Sequence, residues 1–178
     1  MGLRRHARGV TFIELMTTLL VVSVVVAWVV PSFVELTRNT RAQAQAGVLQ
    51  RSLNYARNEA VRRNLRVHVS SVNGDADWGV GGWRVWVDGN DDALYDEGGN
   101  DVELQVQAPL TGGVTLTAAD DVADVVFLGT GFINRSLSAD PVSFEYRVAG
   151  KCQAGFDVQL LPAGRTAMTP ADCEQSDE

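Results

Sequence analysis

The hydrophobic pattern of the chain changes twice. From Leu15 to Val34 the residues are uncharged and dense in Leu, Val and Met. From Ala42 onward the apolar positions recur at helical spacing: Ala42, Ala46, Leu49, Leu53, Ala56 and Ala60 follow one another at steps of 4, 3, 4, 3 and 4. The other faces of that segment carry Arg41, Gln45, Arg51, Arg57, Asn58 and Arg62. No proline occurs between Pro31 and Pro109, so one long helix is allowed from about residue 11 to about residue 65, roughly 80 Å at the α-helical rise. Its second half needs a sheet to cover the small-residue stripe.

From Leu65 the period falls from 3.6 to 2. Candidate strands are Arg66–Ser70, Trp83–Val87, Val102–Gln107, Val114–Thr117, Val125–Leu128, Val142–Val148 and Phe156–Leu161. They are rich in Val, Phe, Trp and Thr and are separated by Gly, Asn and Asp clusters. Short connections imply antiparallel pairing. The alternation in Phe144-Glu145-Tyr146-Arg147-Val148 puts one face on the helix and the other toward water. The expected fold is α+β: a long N-terminal transmembrane and amphipathic helix packed on a mostly antiparallel β-sheet. The tail after Cys173 is expected to be disordered.

Charge gives the apolar run a direction. Twenty residues at about 1.5 Å rise cover roughly 30 Å, the hydrocarbon thickness of a bilayer. Arg4, Arg5 and Arg8 precede the run and the remainder is acidic, so the positive-inside rule leaves the N-terminus in the cytoplasm. A cleaved secretory signal is the competing reading. The run is too long for one, and Val25 to Ser32, with Trp28 and Pro31, contains no small-residue cleavage site. The net charge of the chain is −7, but residues 35–66 hold seven arginines against two glutamates, whereas residues 67–178 hold five basic and 19 acidic residues. Such an acidic domain disfavours non-specific binding to nucleic acid. Cys152 and Cys173, on the exported side, read as a disulfide; a loop of that length contributes roughly 3 kcal/mol on the chain-entropy account.

Glu14 is the anomaly of the run. A carboxylate at the membrane-proximal end is costly and calls for a partner. Gly9, then a hydrophobic residue, then Glu14, then about twenty apolar residues resembles the leader of type IV pilins and pseudopilins. The resemblance implies that a prepilin peptidase cuts after Gly9, that Val10 becomes the N-methylated first residue, and that Glu14 pairs with a neighbouring subunit's terminal amine during assembly. Val10 stands where Phe or Met is more usual. Pro31 matches a helix-kinking proline of these proteins. Farther on, Ala56-Arg57-Asn58-Glu59-Ala60-Val61-Arg62-Arg63, then Gly82-Trp83-Arg84-Val85-Trp86-Val87-Asp88-Gly89-Asn90, and Gly164-Arg165 near the C-terminus resemble the FimT/GspH family of minor pilins and pseudopilins. The implied division is a leader over 1–9, a helix over 10–65 that spans the membrane at 15–34, and a periplasmic β-rich domain over 66–178.

The resemblance implies an inner-membrane protein that later joins a pilus or pseudopilus tip. Its implied partners are other major and minor pilins or pseudopilins, met through the N-terminal helix, together with the prepilin peptidase and the inner-membrane assembly platform. It favours a minor pilin at or near the tip of a type IV pilus that helps to initiate assembly, with a type II secretion pseudopilin as the alternative and a DNA-uptake receptor third. For the last, relatives use a basic Gly-Arg-x-Arg motif; here Gly164-Arg165-Thr166-Ala167 lacks the second arginine, which argues against DNA.

Candidate chemistry is otherwise sparse. Asp88, Asn90, Asp92 and Asp96 alternate oxygen ligands as a calcium loop does, but Ala93 and Gly99 stand where that loop needs glycine and glutamate. The alternative is an acidic, turn-forming hairpin loop. His6 falls in the leader, and His68, alone in a strand, reads as structural or solvated. No nucleophile, metal set or phosphate loop is visible, so neither an enzyme nor a cofactor is expected.

Overall fold

The structure, a computed structural model, describes residues 11–134, 140–148 and 151–171, without the side chains of 27–39, 41–42 and 151–154. Gly9, Val10 and Cys173 lie outside the described residues, as do the side chains of Pro31 and Cys152. The expected cleavage, methylation, kink and disulfide therefore fall outside them too. Two compact units are present, Met1–Asn39 and Thr40–Glu178. Helix α1, Phe12–Arg63, belongs to both.

In the second unit α1 supplies the apolar stripe that its spacing predicted. Ala46, Leu49, Leu53, Ala56 and Ala60 are all at most 1% exposed. The helix ends with Arg62 and Arg63 in its last turn, favourable against the helix dipole, and Asn64 stops it in the left-handed region at φ 54°.

The strands divide between two four-stranded sheets rather than forming one. The first has the order β3-β2-β1-β5 and the second β4-β6-β7-β8, antiparallel throughout. The strands are β1 Val67–Ser71, β2 Trp83–Val87, β3 Val102–Gln107, β4 Val114–Ala118, β5 Asp124–Phe127, β6 Val142–Val148, β7 Lys151–Leu160 and β8 Thr166–Pro170. The chain leaves the second sheet for the first through a 3₁₀ turn at Ala119–Asp121. There Asp120 and Asp121 take positive φ of 58° and 53°, a backbone that aspartate tolerates better than most residues.

β8 was not expected, and β7 begins earlier than its hydrophobic pattern indicated. β8 is an edge strand in which Met168 alone packs on the core, ending on Pro170, where a missing N–H breaks no ladder. The short helix α2, Trp78–Gly81, was also unforeseen. The Asp77 carboxylate caps it by accepting from the Gly79 and Val80 amides at 3.1 and 3.3 Å. Trp78 is fully buried and donates its indole N–H to the Val122 carbonyl at 2.8 Å. Gly82, which follows, has φ +74°, and a Cβ there would lie 2.1 Å from the Gln107 carbonyl oxygen. Only glycine lets β2 begin so close to β3.

Polar contacts fix α1 against both sheets. Gln105 of β3 donates to Ser52 at 3.1 Å, Asn54 donates to Thr166 of β8 at 3.2 Å, and the Tyr146 hydroxyl of β6 donates to Gln45. Around them the core gathers Trp78, Trp83, Phe127, Phe144, Leu116 and Leu160. Burying side chains of this size, at about 1.5–3 kcal/mol each, is what holds the helix.

Candidate functional site

Three features could carry function, and the first is the N-terminal part of α1. Thr11 precedes the helix and Glu14 is its third residue. The Glu14 amide donates to Thr11 Oγ1 at 3.3 Å, half of a capping box, and the Leu15 amide donates to the Thr11 carbonyl at 3.1 Å. The spacing that resembles a pilin leader is thus also a helix-start signal. Past this cap, Thr17, Thr18 and Ser23 donate their hydroxyls to backbone carbonyls at 2.8–3.0 Å, which satisfies these donors within the helix. Apart from Glu14 and these hydroxyl residues, the exposed side chains here are apolar: Phe12 is 77% exposed, Ile13 69%, Leu20 66% and Val26 49%. A helix apolar all round must be covered by something. Among the described residues, no helix is long and apolar enough to cross a membrane; the described side chains of the apolar run stop at Val26.

The second feature is a polar cluster on the face of the first sheet opposite α1. His68 is 1% exposed, not solvated. Its Nδ1 lies 2.8 Å from Asp124 Oδ2 and its ring stacks on Trp86 at 4.2 Å. Its Nε2 is buried without a hydrogen-bond partner, 3.6 Å from Asp88 Oδ2. Trp86 donates to Ser70 Oγ at 3.0 Å and meets the edge of Tyr95, over which the Arg84 guanidinium sits at 4.2 Å. Desolvation, and next Glu103, whose carboxylate accepts the Tyr95 hydroxyl, raise the pKa of Tyr95.

The loop that carries Tyr95 contains the residues considered for calcium. Asp88 is buried, and its two oxygens accept the amides of Asp91 and Ala93 at 2.6 and 3.2 Å. Asn90 donates to Asp92, Asp92 accepts the Leu94 amide, and Asp101 accepts the amides of Gly89 and Asp96. The oxygens of Asp88, Asp92 and Asp101 are used for turns, and Arg66 pairs with Asp91 at 2.6 Å. Among the described residues no group of three or more His, Cys, Asp or Glu could hold a metal ion.

The third feature is the Arg-rich end of α1. Glu59 accepts from Arg62 at 2.6 Å and from Arg63 at 2.7 Å, and these hydrogen bonds hold its carboxyl below the usual range. Arg57 Nε donates to the Gly131 carbonyl at 3.0 Å, and Gly164 packs on that same carbonyl. The helix motif and the C-terminal Gly-Arg, distant in sequence, are thus neighbours. Arg165, next in the β7–β8 turn, is exposed. No signal in the spacing joined these segments.

An N-terminal helix that is bare and apolar from Phe12 to Val26 and covered by antiparallel strands from Ala46 to Ala60 has a pilin-like fold. Two crystal forms of the Pseudomonas aeruginosa type IV minor pilin FimU share this fold. One is 21% identical with a TM-score of 0.56, covering 72% of this chain and 92% of FimU; the other is 21% identical with a TM-score of 0.58, covering 76% and 92%. No curated protein sequence matches. Residues 45–164, more than half of the chain, match the family described as Type II transport protein GspH, and the chain belongs to that family.

Proposed function

We propose that this chain is a minor pilin, anchored in the inner membrane through residues 15–34 and then incorporated at or near the tip of a type IV pilus, where it helps to start assembly. The observation that carries the reading is the bare apolar surface from Phe12 to Val26 with one carboxylate, Glu14, in its first turn. Prepilin peptidase would cut between Gly9 and Val10 and methylate Val10. The uncovered helix would then pack among the helices of other pilins. Glu14 would be neutralised by a neighbour's terminal amine, which sets the register, since a carboxylate in apolar surroundings needs a partner. Pro31 removes one backbone hydrogen bond and would loosen the span. A Cys152–Cys173 disulfide would staple the C-terminal segment.

The GspH family match favours a second reading, a pseudopilin of type II secretion, with the same helix packing. DNA capture through Arg165 is the weakest reading, since one exposed arginine on an acidic domain neutralises few phosphates. A clean deletion, scored in parallel for surface pili, DNA transformation and export of a secreted enzyme, separates the readings. Loss of pili with normal export supports the minor pilin. Loss of export with intact pili makes it the pseudopilin.

A further inference from the structure

Among the described residues, two buried side-chain polar atoms lack a hydrogen-bond partner, Trp83 Nε1 and His68 Nε2. The tryptophan lies in the apolar core. The imidazole nitrogen does not: it faces the Asp88 carboxylate, 3.6 Å from Oδ2. The other ring nitrogen, Nδ1, lies 2.8 Å from Asp124 Oδ2. A carboxylate only accepts, so Nδ1 carries a proton in either charge state of the ring. In the neutral ring Nε2 then presents a lone pair to a carboxylate oxygen, acceptor against acceptor. Both side chains are closed off from water, His68 at 1% exposure and Asp88 at 0%. An unpaired buried acceptor is costly, whereas a proton on Nε2 makes it a charged donor with Asp88 in front of it. Asp88 has room to accept: each of its oxygens takes one loop amide, and a carboxylate offers about four acceptor positions. Those two amides also mark it as a turn-former rather than a metal ligand.

The loop 88–101, which Asp88 begins, is a strap over this face of the sheet. Its ends close on each other: a Cβ at Gly89 would lie 2.0 Å from the Asn100 carbonyl oxygen, and Asp101 accepts the amides of Gly89 and Asp96. The Asp88 amide donates to the Arg66 carbonyl at 3.2 Å, which fixes the start of the strap beside β1. Side chains tie it down at three places: Asp88 against His68, Tyr95 against Trp86, and Asp91 to Arg66. Each neighbouring element turns its own groups toward the histidine. β5 contributes Asp124, and the strap contributes Asp88. β2 contributes Trp86, stacked on the ring, with Arg84 farther out over Tyr95. β3 contributes Glu103, which accepts the Tyr95 hydroxyl, and Arg66 is turned to Asp91. The two groups that reach the ring nitrogens are both acids.

We propose that His68 is a proton-operated latch for the strap 88–101: with Nε2 protonated, the imidazolium bridges Asp124 of β5 and Asp88, and loss of that proton frees the strap to loosen. The proton comes from and returns to solvent, and no other bond is made or broken. Acid therefore tightens the strap and base loosens it. Histidine is the side chain whose ordinary titration falls between about pH 5 and 8. The effect reaches the strap through Asp88, because the oxygens that face the ring are those that hold the Asp91 and Ala93 amides. Those amides precede Leu94 and Tyr95, so one proton governs how firmly the exposed leucine and the ring on Trp86 are held. The latch works within a single chain. It is independent of the filament that the chain joins, and a test at Glu14 neither supports nor weakens it.

The test follows the full chain, uniformly labelled with nitrogen-15 and held in detergent micelles, by NMR from about pH 5 to about pH 9. The ring nitrogens report protonation, and His68→Gln identifies the His68 signals, since His6 is the only other histidine. Nδ1 is expected to stay protonated throughout, while Nε2 loses its proton within the range. Protection of the Asp91 and Ala93 amides against exchange, corrected for the intrinsic effect of pH, falls about tenfold over the same step. Val69, in β1 with a strand on each side, keeps its protection. The step is absent in His68→Gln and in His68→Phe, which retains a ring against Trp86. An Nε2 that does not change its protonation, protection that stays level or rises as that proton leaves, or a step that persists in either variant would each overturn the proposal. The first two are read on the parent chain and stand whatever the variants do.

Discussion

Arg57 on α1 reaches 74 residues along the chain to donate its Nε–H to the carbonyl of Gly131 at 3.0 Å. Gly164, on the turn between β7 and β8, closes over the same carbonyl: a Cβ at Gly164 would lie 2.2 Å from that oxygen. One peptide oxygen thus joins the helix to loops that follow strands of different sheets. Arg57→Ala should lower stability by about 1.5–3 kcal/mol, the worth of a hydrogen bond from a charged donor. Gly164→Ala should cost at least as much, because φ is +72° and the space is filled. Thermal unfolding midpoints check both, and a Gly164→Ala chain as stable as the parent would contradict the close approach.

Glu14→Ala should leave cleavage of the leader intact and block incorporation into filaments. Glu14→Gln separates two roles of the residue. Glutamine preserves the capping-box chemistry with Thr11 but cannot pair as an anion with an amine. If Glu14 acts by charge, the glutamine variant fails like alanine. If it serves only to start the helix, the glutamine variant assembles. Immunoblots of cell-bound and sheared filament fractions give the answer.

Leu53→Ala should cost about 2–5 kcal/mol, as expected for a fully buried leucine. Leu53 is 0% exposed within the stripe that faces the sheets. By contrast, Leu20→Ala, at a position 66% exposed in the first unit, should leave the melting of the β-rich domain unchanged.

His68→Ala should destabilise the loop 88–101 more than Asp124→Asn does. The histidine ring is the stacking partner of Trp86, whereas the Asp124 side chain is 36% exposed and can be rehydrated. Tryptophan fluorescence reports the first change. Amide exchange at Asp91 and Ala93, whose N–H groups Asp88 accepts, reports whether the loop loosens.

Glu59 and Tyr146 each make stability depend on pH. Glu59 has its folded pKa lowered, first by the Arg62 hydrogen bond and next by that of Arg63. Its contribution is complete above the ordinary glutamate value of about 4.3 and is lost as pH falls through the folded value. Tyr146 has its pKa raised to about 12 by burial. Its contribution is complete below the ordinary tyrosine value of about 10 and is lost as pH rises from there toward 12. Melting of Glu59→Gln against the parent should converge in acid. Tyr146→Phe should keep more of its neutral-pH stability at pH 11 than the parent does.

The parts of this molecule visible in the sequence are those in which one residue's neighbours along the chain determine its environment. The stripe from Ala46 to Ala60 and the edges of β2, β3 and β6 follow from period alone. β8 was hidden because its residues bury little and its order comes from β7. The split into two sheets was hidden for a different reason. It depends on two consecutive left-handed aspartates that read as an ordinary polar turn. His68 looked isolated because Asp124 of β5 and Asp88, just past the end of β2, reach it from 56 and 20 residues away. The loop beginning at Asp88 was legible as an acidic turn, but which oxygens accept which amides was not.

The contact between Asn54 and Thr166 spans 112 residues. Strand β1 likewise stays half paired until β5, more than fifty residues later, returns to its free side. Such long-range closures make folding slow relative to a helical bundle of the same size. They also make it late: a chain still emerging has its helix stripe in place but lacks the strands that cover the stripe, so premature termination after β6 should leave an aggregating product rather than a smaller domain. The last five-residue strand, the least conspicuous in the sequence, is what ties the edge of the second sheet to the helix, through Thr166 and Asn54.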